Sequence, residues 1–298
     1  MSTVLLGATL PQFTGDAARF AGAARRAEEL GLDSLWVFDH MWPLGGVKER
    51  PILECWTSLG WLASATTSIR IGSLVTRSSV RAPALLAKMI ATTAAISNGR
   101  LTVGIGSGDE LNRAENESFG LPFFEQEERH DQLSATAAIV RSYLDDDRVS
   151  HDDLFASVTD LVPSPRPGVK TLLWLGGRST EIIELAGRIA DGWNGWRLSP
   201  RSFARAAGDV VEAAAGRALE LSWGGEVILA PTDDAARDLL GGRDPANYVV
   251  GGPETVARHL SRLVDAGARH LIAAFPDGGD SGSYELLAGP VRAALDRG

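Results

Sequence analysis

The stretch SLWVFDHMWP, Ser34 to Pro43, runs from the apolar residues Leu35, Trp36, Val37 and Phe38 straight into Asp39 and His40, with Trp42 and Pro43 close behind. A carboxylate beside an imidazole can move protons, and an imidazole, with an ordinary pKa of about 6.5, holds or releases one near neutrality. On residue type alone, Asp39 equally reads as a helix cap and His40 as an ordinary loop residue. A second group is GIGSGDELN, residues 104–112. Its glycines let backbone approach a flat ligand, and Asp109 and Glu110 then offer proton-transfer groups, or else stand in a solvated acidic loop. A dinucleotide fingerprint needs a helix directly behind the glycines, whereas DELNRAENESFG is polar and lacks a sustained apolar period. A third group is WLGGRSTEIIELA, residues 174–186, where Gly176, Gly177 and Arg178 precede a helix starting near Ser179 or Thr180. Free amides at a helix N-terminus beside glycine backbone bind anions, phosphate in particular, although a plain capped junction uses the same residues.

The remaining reactive types read as structural. His130 and His259 fall on helices, His270 begins a strand, and no pair has metal-ligand spacing, so no metal is expected. Cys55 lies in an apolar helix, and Ser107 is not in a nucleophile elbow.

The elements that must position these groups alternate. Strands are expected at 3–10, 34–39, 69–76, 100–106, 171–177, 191–196, 221–230 and 269–275. Helices are expected at 16–30, 52–67, 82–97, 125–144, 179–190, 200–219, with helical material at 233–240 and 253–266 and a last helix at 283–296. The acidic stretch 144–155 reads as a surface excursion. Eight strands alternating with eight helices predict one (β/α)8 barrel over 1–298, with no linker dividing it. Such a barrel carries its chemistry at the C-terminal strand ends. Those ends are Gln12; Asp39, His40 and Trp42; Ser73 to Thr76; Gly106 to Asn112; Gly176 to Thr180; and Trp193 to Trp196. His40 is the only histidine at such an end.

The 298 residues carry a formal net charge of −9 and only three lysines, which argues against nucleic acid or an anionic membrane as a partner. A single cysteine fits a reducing cytoplasm; the N-terminus does not read as a signal peptide, and no apolar run is long enough to span a bilayer. The helix ILECWTSLGWLASA is apolar nearly all round and needs burial beyond one face.

These pieces together resemble the luciferase-like monooxygenase superfamily, in its branch that uses the deazaflavin F420. The resemblance rests on AARRAEELGLDSLWVFDH, LECWTSLGWLASATTSIRIGSLVT, RAPALLAKMIATTAAISNGRLTVGIGSG, ESFGLPF, RIADGWNGW and VVGGPETVARHLSRLVDAGARHLI, spread from residue 23 to 272. It implies an F420-dependent oxidoreductase moving a hydride between the deazaflavin C5 and a small organic substrate. An FMN-dependent monooxygenase and a non-catalytic flavin-binding paralogue are the alternatives. It further implies that His40 is the acid/base, that Asp39 orients it or contacts the ring, and that Asp109 or Glu110 serves the ring N1 side. The branch has Glu where this chain has Asp109. Ser73, Leu74, Thr76, Gly106, Ser107, Gly108 and Asn112 would line the ring, with a cis peptide at Ser73–Leu74. Gly176, Gly177, Arg178, Ser179 and Thr180 would hold the cofactor phosphate, and Gln12, Trp42, Trp193 and Trp196 would wall the substrate pocket. The lysines that hold a sugar phosphate in the family's glucose-6-phosphate dehydrogenases have no counterpart here. A homodimer through the second and third helices is also implied.

Overall fold

Side-chain caps and turn glycines set where the elements begin and end. The computed structural model describes residues 4–43 and 48–297. Strand β1 (Leu5–Thr9) leads to α1 (Ala17–Glu29), opened by Asp16, whose carboxylate accepts from the amides of Ala18 and Arg19. Strand β2 (Ser34–Val37) follows, then α2 (Cys55–Ala65), which begins later than the sequence suggests because Glu54 is its N-cap. Next come β3 (Arg70–Arg77), α3 (Pro83–Ile96), β4 (Leu101–Gly106), the short α4 (Arg113–Ser118) and the long α5 (Gln126–Asp145).

The expected surface excursion at 144–155 is partly regular. It finishes α5 and then enters an antiparallel hairpin, β5 (Val149–Asp152) with β6 (Ser157–Leu161). The second half comprises β7 (Leu172–Gly176), α6 (Thr180–Ile189), β8 (Gly192–Trp196), α7 (Pro200–Ala213) and β9 (Glu220–Leu229). Helix α7 stops six residues before the expected end, where Ala215 and Gly216 take positive φ. It continues with α8 (Asp233–Leu240), β10 (Val249–Gly251), α9 (Pro253–Asp265), β11 (His270–Ala274), α10 (Ser283–Leu286) and α11 (Arg292–Leu295). Pro290 sits in a π turn between the last two, because its ring removes an amide from the expected 283–296 helix.

Eight parallel strands close in the order β9-β11-β1-β2-β3-β4-β7-β8, and β8 pairs back onto β9. This is the expected (β/α)8 barrel, with β10 added at one edge of β9. The lower lumen is filled by two indoles. Trp36 of β2 and Trp174 of β7 stack with centroids 4.9 Å apart and are fully buried. Glycines opposite make room: a Cβ on Gly72 would lie 2.4 Å from the Trp36 ring, and one on Gly192 2.5 Å from Trp174. The interior is thus packed shut below and free to differentiate at the C-terminal rim.

Candidate active site

Strand β2 delivers Asp39 and His40 to the rim with opposite surroundings, because neighbouring residues of an extended chain face opposite ways. Asp39 turns towards β3 and the turn leading into α3 and is 2% exposed. Its Oδ2 accepts from Thr76 Oγ1 at 2.6 Å, the Arg77 amide at 3.0 Å and Arg81 at 2.7 Å; its Oδ1 accepts from Arg81 at 3.1 Å. Burial alone would raise its pKa. The Arg81 charge and these bonds outweigh that and hold the carboxyl below the usual range. Asp39 is therefore an anchor between strands and does not orient the neighbouring imidazole.

That position is held by Glu115 of α4. The Glu115 side chain is completely buried, and its Oε2 lies 3.5 Å from His40 Nδ1 and 3.1 Å from Arg77. Its Oε1 accepts from the amides of Met41 and Trp42, so one carboxylate fixes both the imidazole and the backbone beside it. Burial opposes its charge, but the contacts from His40, Met41 and Arg77 prevail and keep it ionised, with a lowered pKa. Arg77 in turn donates to Asn116 Oδ1 and to the Asp39 carbonyl. His40 Nδ1 is buried and has no hydrogen-bond partner of good geometry, whereas the side chain as a whole is 19% exposed.

The other carboxylates expected at the site are both exposed. Asp109 caps the turn Glu110–Asn112, accepting from the Leu111 amide at 3.0 Å while its own amide donates to Asn112 Oδ1. Glu110 is taken by Arg113 at 2.5 Å, and that bond lowers its pKa.

The cis peptide lies one residue beyond the expected Ser73–Leu74 bond, at Leu74–Val75. The β3–β4 register slips there, and the Val75 side chain meets the positions a Cβ would take on Gly104, Gly106 and Gly176, between 2.6 and 2.7 Å away. Glycine at these three positions is thus required by packing. Ser73 donates to the Gly104 carbonyl, Thr76 links Asp39 to the Trp56 indole, and Ser107 donates to the Gly108 carbonyl.

Two expected pocket residues point elsewhere. Gln12 is a buried clamp, its amide bonding the Phe38 amide and the carbonyls of Phe38 and Leu53, all at 2.7 Å. Trp193 faces outward against Phe203 of α7, with centroids 5.4 Å apart. Trp196 does reach the rim, edge-on to Phe38 at 5.5 Å, and Phe38 continues to Phe13 and His40. Trp42 packs against Phe119, under Lys48.

At the β7 end, Gly177 has φ +149 and Ser179 caps α6. Among the described residues the amides of Arg178, Ser179 and Thr180 have no protein acceptor. Arg178 is exposed, and His130 Nε2 approaches Ser179 Oγ at 3.4 Å. Unpaired amides, hydroxyls and a cation at the start of a ten-residue helix are a donor set that fits a phosphate ester. Among the described residues no three His, Cys, Asp or Glu come together to hold a metal, and no helix is long and apolar enough to cross a membrane.

The sequence model of the luciferase-like monooxygenase family matches residues 3–248. The chain belongs to that family. An F420-dependent glucose-6-phosphate dehydrogenase of Beutenbergia cavernae is 32% identical over 171 residues, 56% of this chain and 49% of that protein. An F420-dependent hydroxymycolic acid dehydrogenase of Mycobacterium tuberculosis is 29% identical over 184 residues, 61% of this chain and 49% of that protein. The chain thus spans about half the length of the curated relatives it matches. Among solved structures, an F420-dependent secondary alcohol dehydrogenase with an F420–acetone adduct has a TM-score of 0.85 at 20% identity, covering 98% of this chain and 99% of that one. A long-chain alkane monooxygenase has a TM-score of 0.79 at 13% identity, covering 100% and 92%. These two likenesses show the fold alone.

Proposed function

We propose that the chain is an F420-dependent oxidoreductase acting on a small organic substrate, with His40 as its proton-transfer group. The observation that carries this reading is the His40–Glu115 pair. A fully buried, ionised carboxylate faces Nδ1 of the histidine that β2 delivers to the rim. Glu115 favours the tautomer with hydrogen on Nδ1, which leaves Nε2 to take the hydroxyl proton of an alcohol or to return it to a carbonyl. The deazaflavin, when bound, supplies the carbon that accepts or gives the hydride. The Gly177–Thr180 turn would hold its phosphate, and Val75 with the β4 end from Gly106 to Asn112 would border the ring. Phe38 and Trp196 make the apolar wall that excludes water. Support for F420 comes from the curated relatives, which are named for it.

The test is titration with F420 and with FMN, followed by fluorescence, together with reduction of F420 by a panel of alcohols. Tight F420 binding with alcohol-dependent reduction is expected. Preference for FMN, with substrate oxygenation, would replace this reading by a flavin monooxygenase, and failure to bind either would leave a non-catalytic paralogue.

A homodimer through α2 and α3 belongs to the same proposal. Their exposed positions include Trp61, Leu85 and Ile96, large apolar side chains on two adjacent helices. Light scattering should give twice the 31.6 kDa chain mass. A cytoplasmic location, expected from composition, is part of the same proposal.

A further inference from the structure

Strand β9 carries a second carboxylate into the lumen, on the far wall from His40. A Cβ on Gly224 would meet the Trp196 ring at 2.7 Å, so Gly224 faces inward, and two residues on so does Glu226. It pairs in register with Ala274, at the C-terminal end of β11, which places it at the rim. Its side chain is 29% exposed, and its buried Oε2 has only the Arg197 Nε at 3.2 Å, without the alignment of a hydrogen bond. Burial raises its pKa and Arg197 does not offset this, whereas at Glu115 the surrounding contacts outweigh burial.

Arg197 is held on further sides. Its φ is +56, its amide donates to the Gly224 carbonyl at 2.7 Å, and its guanidinium also bonds Asn247. Two other arginines near the rim are similarly engaged, Arg77 by Glu115 and Arg81 by Asp39 and Glu54. A substrate phosphate would have to displace an intramolecular carboxylate from Arg197 and then sit beside it.

We infer that Glu226 selects the substrate: a neutral molecule with an apolar body against Phe38 and Trp196 and a second hydrogen-bond donor directed at this carboxylate, to the exclusion of phosphorylated sugars. This rests on the reading of the rim as the substrate site. A hydroxyl donating to a carboxylate gains a charge-assisted bond, whereas an anion at the same place meets like charge in a half-dry setting. The rim thereby differs from what the dehydrogenase relatives, named for glucose 6-phosphate, would lead one to expect.

Calorimetric titration of the protein, with and without F420, tests this without requiring turnover. The probes are cyclohexanol, trans-1,2-cyclohexanediol and glucose 6-phosphate. The diol should bind about 10–100-fold tighter than the mono-alcohol. Glu226→Ala should bring the two within about twofold, Glu226→Gln should keep part of the preference, and glucose 6-phosphate should not compete with the diol. A diol preference that survives Glu226→Ala, or glucose 6-phosphate binding to the unmodified protein as tightly as the diol, overturns the inference. Failure to bind F420 or to oxidise any alcohol counts against the proposed function alone, because the comparison of the three probes still stands.

Discussion

The barrel holds a histidine–carboxylate pair at each end, and the two are built differently. At the bottom, His270 is fully buried with both ring nitrogens engaged: Nε2 with Ser34 Oγ at 2.6 Å and Nδ1 with Glu220 at 2.8 Å. Glu220 also takes two bonds from Arg70, and Ser34 accepts from the Trp36 indole. Serine, histidine and glutamate in line at these distances have the contacts of a nucleophilic triad, yet Ser34 and His270 have no exposure and the Trp36–Trp174 stack lies above them. At the top, His40 is partly exposed, and its buried nitrogen has only Glu115 at 3.5 Å. The same two residue types give a structural brace where every valence is filled and water is shut out. They give a candidate acid/base where one nitrogen is left over and the lumen opens.

The sharpest way to break this contrast is to remove each histidine in turn. His40→Ala should lower turnover about 10²–10⁴-fold, the usual loss of a positioned acid/base, while melting temperature and F420 affinity change little. His270→Ala should do the reverse. It leaves Glu220, Arg70 and Ser34 with a buried gap and should cost about 3–5 kcal/mol of stability by denaturant titration, with turnover per folded molecule retained. Burial holds the folded-state pKa of His270 below 6.5, against the pull of Glu220. The unfolded chain therefore binds the extra proton first, and stability should fall as pH drops below about 6.5. His270→Gln should flatten that limb.

A smaller effect belongs to the bottom end as well. Glu28 of α1 accepts from the amides of Thr67, Ser68 and Ile69 ahead of β3. Burial works against its charge, but these amides win and lower its pKa to about 2. Its contribution is present above about pH 4.5 and is lost as pH falls towards 2. Because the group is partly solvated, Glu28→Gln should cost about 1–2 kcal/mol at neutral pH, with activity untouched.

Much of this contrast can be read in the sequence. The apolar runs of β2, β3, β4, β7 and β11 and their flanking turn residues announce the barrel, and His40 stands out because it follows a core strand directly. Trp193 and Trp196 differ in parity along β8, so strand alternation already implies that both cannot face the lumen. Glu115 is different in kind. In DELNRAENESFG it is one acidic residue among several, and its burial depends on His40 and Arg77, which reach it from β2 and β3. Local pattern carries no trace of such a contact. Glu226 is similar, since its environment is set by Arg197 and by closure of β8 onto β9.

The central claim is that Glu115 acts through His40, and a double-mutant cycle on turnover tests it most directly. Glu115→Gln alone, measured on protein shown to be folded and to bind F420, should slow turnover about 10–100-fold, as loss of an orienting carboxylate does. Introduced into His40→Ala, the same change should slow turnover no further, because the group it positions is already gone. If the two losses instead multiply, Glu115 has a role independent of the imidazole, and the reading of the upper pair as one proton-transfer unit is wrong.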